Sequence, residues 1–558
     1  MSNDTVSIEE QLLQPNPFEP MLEPFMSPMA MSYFALIVVL LILKNIQPRN
    51  SVLGKARLAT PAEVRKATQK GRRQIAEAKL TRSALELHPN LVLANVQPAM
   101  ALVGQSGSGK TESVMNPALH SAIDQDWTIF CFDVKGEFLR THGAYALAKG
   151  YDLYHYYPGH KCDGLNFLKF MNGKYDAKTA EEIAKIMEMN FGEPGERKDG
   201  FFSPQGVAAL RLAFMMAKAT CYPDLVTAWK FLSLPNFAKR MAKAKELNLL
   251  GEELDFGTWI SEASTPLRTM SESGRTIDGI LGTSMTNFLR MVDSSIIPCL
   301  TNHTIPLDMR GKQIVFFQLD ETAQSATAPL VAAAIHMLIT RNLRAGVNRT
   351  NPLGLFLDEF DSIYLPNIQD YINKMRSYGL VTLLSYQSNA QLYRRYSKNS
   401  AISILSSCKT KIYFNTGHHQ TAQELSTDIG KTEVKYKTES KTFGKNPSRN
   451  QSEHIQLTDL VTANEVNEQK EGEAYIKSPG WGHRAYKHQF PEHHPHKKLW
   501  KETCPQIWDE KIVPYRTAEI EKMQGDNEVA LINREVIAEA NLPSEKELEM
   551  LSKLLVAA

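Results

Sequence analysis

The chain of 558 residues has little net charge, no paired cysteines and no evident internal repeat. Its 63 Lys and Arg are balanced by 61 Asp and Glu, which gives a formal charge of +2. This near-neutrality excludes the overall basic field that marks a nucleic-acid binder by composition alone, so any contact with DNA must be local. The six cysteines form no CxxC pair, which argues against a zinc site or a disulfide framework and fits a reducing compartment.

The composition is otherwise that of a globular protein. Hydrophobic residues make up 43% of the chain and charged residues 22%, which excludes disordered and collagen-like chains. At roughly 150 residues per domain, the length predicts three to four structural units.

One long hydrophobic run interrupts this average. Residues 25–43 contain no charge, and 19 residues nearly reach the roughly 20 that a membrane-spanning helix needs. Residues 1–24 contain five acids and no Lys or Arg, which is the reverse of a signal peptide. Lys44 and Arg49 follow the run, so the positive-inside rule places the rest of the chain in the cytoplasm. We expect a single transmembrane anchor; a buried core helix is the alternative.

Hydrophobic patterning outlines the remainder. Residues 46–95 form a basic connector with a polar helix over 61–86, which either contacts anionic lipid or is solvated. Helical periodicity dominates 175–295, and a polar stretch at 432–453 indicates a long mobile loop. Short apolar runs typical of parallel strands occur at 99–103, 127–132, 313–319, 354–357, 380–385 and 411–415.

A phosphate-binding loop follows the first of these strands. The sequence GQSGSGKT at 104–111 matches G-x-x-x-x-G-K-[ST] and precedes a predicted helix, which is the expected context. Lys110 is predicted to bind the β- and γ-phosphates of ATP, and Thr111 to ligate Mg²⁺. The predicted nucleotide-binding residues are Gly104, Gln105, Ser106, Gly107, Ser108, Gly109, Lys110 and Thr111.

Two adjacent acids end the strand at 354–357. Asp358 is predicted to complete the Mg²⁺ shell, as a Walker B aspartate does, and Glu359 to orient and deprotonate the attacking water. About 250 residues separate the phosphate loop from this pair, which favours a RecA-like motor core that carries an insertion over a minimal G-protein-like domain.

Arg376 and Gln387 bracket the next predicted strand. An arginine at a subunit edge could neutralise charge on a neighbour's γ-phosphate, and a glutamine at a strand end could sense that phosphate. Arg394 and Arg395 compete with Arg376 for the first role. Five late histidines show no metal-site spacing, so no metal centre is expected from them: His483, His488, His493, His494 and His496.

Together these residues resemble the membrane-anchored coupling-protein ATPases of type IV secretion and bacterial conjugation, the TraD/TraG type, over residues 54–490. Walker A and the D-E-F Walker B both agree with the family. The further matching segments are GKARLAT at 54–60 with Glu63, DVKGE at 133–137, Asn166, Arg376 with Gly379, and 387–392. The chain departs from the family in having one hydrophobic run instead of two, and in lacking an obvious acidic C-terminal tail.

The resemblance implies a homohexameric motor in the bacterial inner membrane. It would bind ATP and Mg²⁺, recognise single- or double-stranded DNA with its relaxase, or protein substrates, and deliver them to secretion-channel components. Arg376 would then be an arginine finger acting on a neighbouring subunit, and Gln387 a coupling glutamine. An FtsK- or HerA-like DNA translocase, or a membrane receptor that binds nucleotide only structurally, remains as an alternative.

The expected fold class is α/β, a RecA-like P-loop ATPase core with an inserted all-α domain and a single N-terminal transmembrane helix. The expected segments are 1–24 (periplasmic), 25–45 (anchor), 46–95 (juxtamembrane connector), 96–174 (nucleotide-binding, first part), 175–295 (all-α), 296–499 (nucleotide-binding, second part) and 500–558 (tail).

Overall fold

The computed structural model describes residues 56–191, 204–246, 257–265, 285–286, 288–442, 448–523 and 526–557, together with Ser32 and Leu36. The predicted anchor at 25–45 lies outside this part of the chain, apart from those two single residues. Among the described residues, no helix is both long enough and apolar enough to cross a bilayer.

Thirteen strands are present in the described part. They are β1 (Ala84–His88), β2 (Leu91–Ala94), β3 (Met100–Val103), β4 (Thr128–Phe132), β5 (Asp152–Tyr156), β6 (Gln313–Phe317), β7 (Leu353–Leu357), β8 (Leu380–Tyr386), β9 (Thr410–Tyr413), β10 (Lys431–Thr442), β11 (Ser448–Asp459), β12 (Glu473–Lys477) and β13 (Ala485–Gln489).

In the described part of the first half of the chain there are nine helices. They are α1 (Pro61–Glu77), α2 (Asn116–Asp124), α3 (Glu137–Ala148), α4 (Ala177–Phe191), α5 (Pro204–Lys218), α6 (Leu225–Ser233), α7 (Phe237–Glu246), α8 (Gly257–Ala263) and α9 (Ile297–Thr301). Of these, α4–α8 are called the helical segment.

The described residues of the second half form ten more helices. They are α10 (Gln324–Asn342), α11 (Ile368–Lys374), α12 (Asn389–Tyr396), α13 (Lys398–Ser407), α14 (His419–Ile429), α15 (Ala463–Asn467), α16 (Cys504–Ile507), α17 (Val513–Met523), α18 (Asn527–Asn541) and α19 (Glu545–Ala557).

Nine strands form one sheet in the order β13-β12-β9-β3-β8-β7-β4-β6-β5. Its seven strands from β9 to β5 are parallel, and β12 and β13 extend it in antiparallel fashion. All carboxyl ends of the parallel strands therefore lie at one edge. The strand β8 lies between the strand before the phosphate loop (β3) and the strand that carries the acid pair (β7), so both motifs reach that edge as near neighbours.

Adjacent side chains of each strand face opposite sides of the sheet. In β4, Phe130 and Phe132 pack into the core that contains the helical segment and α10, whereas Ile129 and Cys131 pack into the core that contains α2, α3 and the β1–β2 pair. Coverage on both faces explains why the central strands are predominantly apolar.

The connector predicted at 46–95 is more structured than its polar sequence indicates. The helix α1 ends at Glu77, and the rest folds into the antiparallel pair β1–β2, against which α1 packs through Val64 and Ala67. A capping box between Thr60 and Glu63 begins α1, and Glu63 also forms an ion pair with Arg484 at 2.6 Å. The helix expected over 61–86 therefore ends at Glu77, and the expectation is wrong for the residues after it.

The loop expected at 432–453 is also wrong, because β10 and β11 form a two-stranded sheet. Its side chains pair across the strands by polar contacts, such as Lys437 with Glu453 at 3.1 Å and the stacked rings of Tyr436 and His454 at 5.3 Å. Residues 432–458 are separate from the compact unit that residues 56–431 and 459–558 form.

The segment expected as an appended tail, 500–558, packs along the second unit. Trp508 is buried against Gly143 in α3, and Arg534 in α18 forms a buried ion pair with Asp224 before α6. Arg516 joins Asp163 at 2.5 Å. These contacts tie the end of the chain to both the sheet and the helical segment.

Candidate functional site: a phosphate cleft at the carboxyl edge of the sheet

The phosphate loop lies between β3 and the start of α2. Gly109 has a φ of +91°, and a side chain there would approach the backbone nitrogen of Gly472 within 2.9 Å, so only glycine fits. The hydroxyl of Ser108 donates to the carbonyl of Gln105 at 2.7 Å and closes the turn. Lys110 donates to the carbonyls of Gly104 and, at 3.1 Å, of Gln105.

The helix after the loop begins with a π-helical turn, Thr111–Met115. Pro117 has no N–H to give to the carbonyl four residues earlier, and the preceding residue Asn116 bonds to the carbonyl of Thr111 instead. The first turn of a helix leaves backbone N–H groups without partners inside the helix, and here that turn directly follows the loop, so this end of the helix can bind an anion.

The acid pair ends β7 opposite the loop. The N–H of Asp358 donates to the carbonyl of Phe132 at 3.0 Å, which anchors the strand end to β4. Glu359 has a φ of 45°, a left-handed conformation that costs a non-glycine residue about 1 kcal/mol or more and is typical of functional sites. Burial, reinforced by the neighbouring Asp358, raises the pKa of Glu359, and Lys135 lies 3.7 Å from its carboxylate.

These groups line one cleft of about 190 Å³. Gln387, at the end of β8, also lines it, as do Asp133 and Lys135 from the end of β4. Burial in the cleft lowers the pKa of Lys110, an effect that the nearby Asp358 and Glu359 oppose. The structure therefore brings together the predicted loop, the predicted acids and the predicted glutamine.

The oxygen donors of the cleft fit a magnesium–nucleotide ligand. Thr111 and Asp358 both line it, and hydroxyl and carboxylate oxygens are the ligands that Mg²⁺ prefers alongside phosphate. Lys110 also lines the cleft. Its ammonium group donates to loop carbonyls in this structure and is placed to donate to the phosphate oxygens of a bound nucleotide.

Several known proteins are similar to this chain in sequence or in fold. A family model described as the TraM recognition site of TraD and TraG matches residues 352–471. Over 170 residues, the chain is 22% identical to the coupling protein TraD of Escherichia coli (strain K12), an alignment that covers 30% of this chain and 24% of TraD. The chain is similar to the TraD/TraG coupling proteins. Its match thus spans about a quarter of the length of that curated relative.

Solved coupling-protein structures share the fold. The unbound monoclinic form of the bacterial conjugative coupling protein TrwBdeltaN70 matches with a TM-score of 0.55 at 16% identity, covering 80% of this chain and 95% of that one. TrwB in complex with the non-hydrolysable ATP analogue ADPNP matches with a TM-score of 0.51 at 14% identity, covering 80% and 96%. The predicted resemblance to the coupling proteins is confirmed, and the nine-stranded sheet agrees with the predicted α/β class.

Arg376, the predicted arginine finger, lies away from the phosphate cleft. Arg376 is exposed in the turn Met375–Tyr378 before β8, which is the amino edge of the sheet, opposite the phosphate cleft. Its competitor Arg395 is buried and donates to the carbonyls of Asp361 at 2.8 Å and Ser362 at 2.7 Å, so it braces the turn after the acid pair. The finger role of Arg376 stays a prediction.

The sequence predicts no chemical role for Asp133, although this residue opens the DVKGE segment at 133–137. The structure buries this carboxylate in the cleft, where it accepts from the N–H groups of Lys135 at 3.0 Å and Phe138 at 2.7 Å. Burial, with a contribution from Asp358, raises the pKa of Asp133 to about 7. The available signal was an acid directly after a buried strand, the same signal that identified Asp358.

The late histidines form no metal site among the described residues. Instead, His494 stacks on Trp500 at 4.5 Å between ring centroids, and His496 stacks on His120 of α2 at 4.2 Å. Glu471 precedes β12 and lines the phosphate cleft, and no motif in the sequence predicts this position.

Proposed function

We propose that the chain is a membrane-anchored, ATP-hydrolysing coupling protein of a conjugative or type IV secretion system. It recruits a relaxase–DNA complex, or protein substrates, and drives their transfer to the secretion channel. The observation that carries this proposal is the meeting of Lys110, Asp358, Glu359 and Gln387 in one cleft of a coupling-protein fold.

The residues of the cleft divide the work of hydrolysis. Lys110 and the amides of the loop would hold the phosphates, and Thr111 and Asp358 would hold Mg²⁺, which when bound would neutralise charge on the phosphate oxygens. Glu359 orients a water against the terminal phosphate and accepts its proton; its raised pKa makes it a stronger base than an exposed carboxylate. Gln387, at the end of the strand between the two motifs, responds to the presence of that phosphate.

Assembly completes the motor. We propose a homohexamer in which Arg376, on the edge opposite the chain's own cleft, reaches the cleft of a neighbouring subunit. DNA would contact basic residues of a central channel, where contacts to phosphate are independent of sequence and sensitive to salt. Because the family model over 352–471 concerns TraM recognition by TraD and TraG, we include a corresponding partner protein among the recruited components.

The anchor belongs to the same proposal. Residues 25–45 would cross the bacterial inner membrane once, with 1–24 in the periplasm and the motor in the cytoplasm. The uncharged run and the acidic-to-basic change across it support this orientation.

Two substitutions test the motor. Lys110→Ala should abolish ATP binding, whereas Glu359→Gln should keep binding but slow hydrolysis by about 10²- to 10⁴-fold, because it removes only the base. Both should abolish transfer of DNA or protein between cells, while the exposed controls Lys178→Ala and Glu549→Gln should leave hydrolysis and transfer unchanged. Retained transfer by both cleft variants would refute the motor, whereas retained transfer by Glu359→Gln alone would favour a receptor that binds nucleotide only structurally.

A further inference from the structure

The outward face of α1 is strongly basic. Its exposed side chains include five cations, which we call the basic surface: Arg65, Lys66, Lys70, Arg72 and Arg73. Over residues 56–95 there are eight Lys and Arg and three Glu, a net charge of +5, whereas the whole chain carries +2. The near-neutral composition therefore conceals one local positive field.

No acid in the described part of the chain neutralises this surface. Glu63, in the first turn of α1, pairs with Arg57 at 2.7 Å and with Arg484 at 2.6 Å. Glu77, in the last turn, pairs with Lys79 at 3.1 Å. None of the five cations lies within ion-pair distance of a described carboxylate. Because like charges one helical turn apart repel, a bound anion would stabilise the basic surface.

The inner face of α1 fixes the basic surface in place. Gly71 lies so close to β2 that a Cβ there would approach Val92 Cγ1 within 2.6 Å, so a larger residue would push the helix away. The amide nitrogen of Gln74 donates to Asn95 Oδ1 at 2.6 Å, and the amide oxygen of Gln74 accepts from the N–H of Asn95 at 3.0 Å. The five cations are thus carried by a preformed helix, and binding need not order its backbone.

A cavity of about 440 Å³ opens at the edge of the basic surface, between α1, the turn from β1 to β2, and β13. Arg65 and Arg72 line it together with the side chains of Gln69 and Asn90. Arg72 also donates to the carbonyl of Pro89, which orients its guanidinium at the cavity wall. Guanidinium groups match the geometry of phosphate oxygens through paired hydrogen bonds, so the cavity suits a phosphate-bearing group.

We propose that the basic surface binds the anionic phospholipid headgroups of the membrane that holds the anchor, an inference that rests on the proposed function. Residues 46–60 connect the proposed anchor to α1, and these 15 residues extend at most about 50 Å. They add Arg49, Lys55 and Arg57 on the same side of the bilayer. Anionic lipid of the cytoplasmic leaflet attracts such juxtamembrane cations, and the cavity would receive the phosphate of one headgroup.

The basic surface is a second and weaker membrane contact beside the anchor. The short connection keeps α1 near the bilayer, which favours lipid over nucleic acid as its anion. By itself a polybasic surface gives only marginal, reversible binding, so a fragment without residues 1–45 still leaves the membrane. With the anchor in place, the contact holds α1 at the bilayer surface.

Chemical labelling of the full-length protein in lipid nanodiscs tests the contact. An amine-reactive acetylating reagent modifies Lys66 and Lys70, and mass spectrometry measures each rate. Both lysines should react at least about fivefold more slowly in equal parts phosphatidylcholine and phosphatidylglycerol than in phosphatidylcholine alone, the factor expected for one cation near an anionic surface. Lys178 and Lys398 are exposed controls on helices that pack against the opposite face of the sheet, so their rates should not change.

A double variant and a salt control separate attraction by charge from other causes of protection. Arg65→Gln/Arg73→Gln removes two exposed cations and should abolish most of the protection of Lys66 and Lys70, whereas Lys178→Gln/Lys398→Gln should keep it. In about 1 M salt, which screens charges beyond about 3 Å, the protection should disappear.

The outcomes distinguish this inference from the function on which it rests. Equal rates of Lys66 and Lys70 in the two lipids, or full protection in Arg65→Gln/Arg73→Gln, would overturn the inference. Protection by duplex DNA without protection by phosphatidylglycerol would assign the basic surface to nucleic acid and overturn it as well. Failure of the full-length protein to co-elute with nanodiscs of either lipid would instead overturn the proposed anchor.

Discussion

The buried ion pair between Asp224 and Arg534 should decide whether the end of the chain stays docked on the helical segment. The side chains are 3% and 8% exposed, and the guanidinium meets the carboxylate at 2.6 and 2.9 Å. Asp224 also caps α6 by accepting from the N–H of Thr227 at 3.0 Å. Because Arg534→Met leaves a buried carboxylate without its cation, we expect a loss of about 3–5 kcal/mol in local stability.

Hydrogen–deuterium exchange of α18 measures this loss directly. At 1.4 kcal/mol for each factor of ten, protection of its amides should fall about a hundredfold or more. The control is Lys230→Ala, which breaks a pair with Glu535, a residue whose side chain is 56% exposed; this change should cost less than about 1 kcal/mol.

A double variant isolates the buried charge as the cause. Asp224→Asn combined with Arg534→Met keeps a capping side chain but removes both charges, so it should recover much of the protection that Arg534→Met alone loses. Exchange that is unaffected by Arg534→Met, or equally affected by Lys230→Ala, would refute this reasoning.

Two further predictions concern a titration and the anchor. The pKa of Asp133 is raised to about 7 by burial, so the folded state holds a proton that the unfolded chain releases near pH 4, and stability should decline as pH rises from about 4 to 7, by on the order of 4 kcal/mol. Asp133→Asn should flatten this decline in melting temperature against pH; an equal slope in both proteins would contradict the assignment. Removing residues 1–45 should move the protein from the membrane fraction to the soluble fraction as a mainly monomeric or weakly assembling fragment, and continued sedimentation with membranes would disprove the proposed anchor.

The sequence predicts the centre of the sheet better than its edges. The runs expected at 127–132, 354–357 and 380–385 agree with β4, β7 and β8 within one or two residues, because strands covered on both faces are continuous apolar runs. The edge strand β5 was missed because its side chains are partly exposed and polar, beginning with Asp152. In the β10–β11 pair, polar residues on both faces leave no alternation to recognise.

The candidate site was also predictable only in part. A contiguous motif made the phosphate loop recognisable, and an acid pair after an apolar run did the same for Asp358 and Glu359. Residues 490–501 carry no motif. They lie beside the phosphate loop because the antiparallel strands β12 and β13 bring Phe490 back to it. Such an approach of distant segments follows from topology and cannot be obtained from local patterns.

The late position of residues 490–501 has a consequence for biosynthesis. Translation produces the phosphate loop and acid pair well before residues 490–501. A chain that is still being made therefore has these motifs before the segment that packs beside them. Nonsense or frameshift products that end before residue 490 would lack the ion pairs that Lys497 and Lys501 form with Glu112 next to the loop, while every signature motif remains intact.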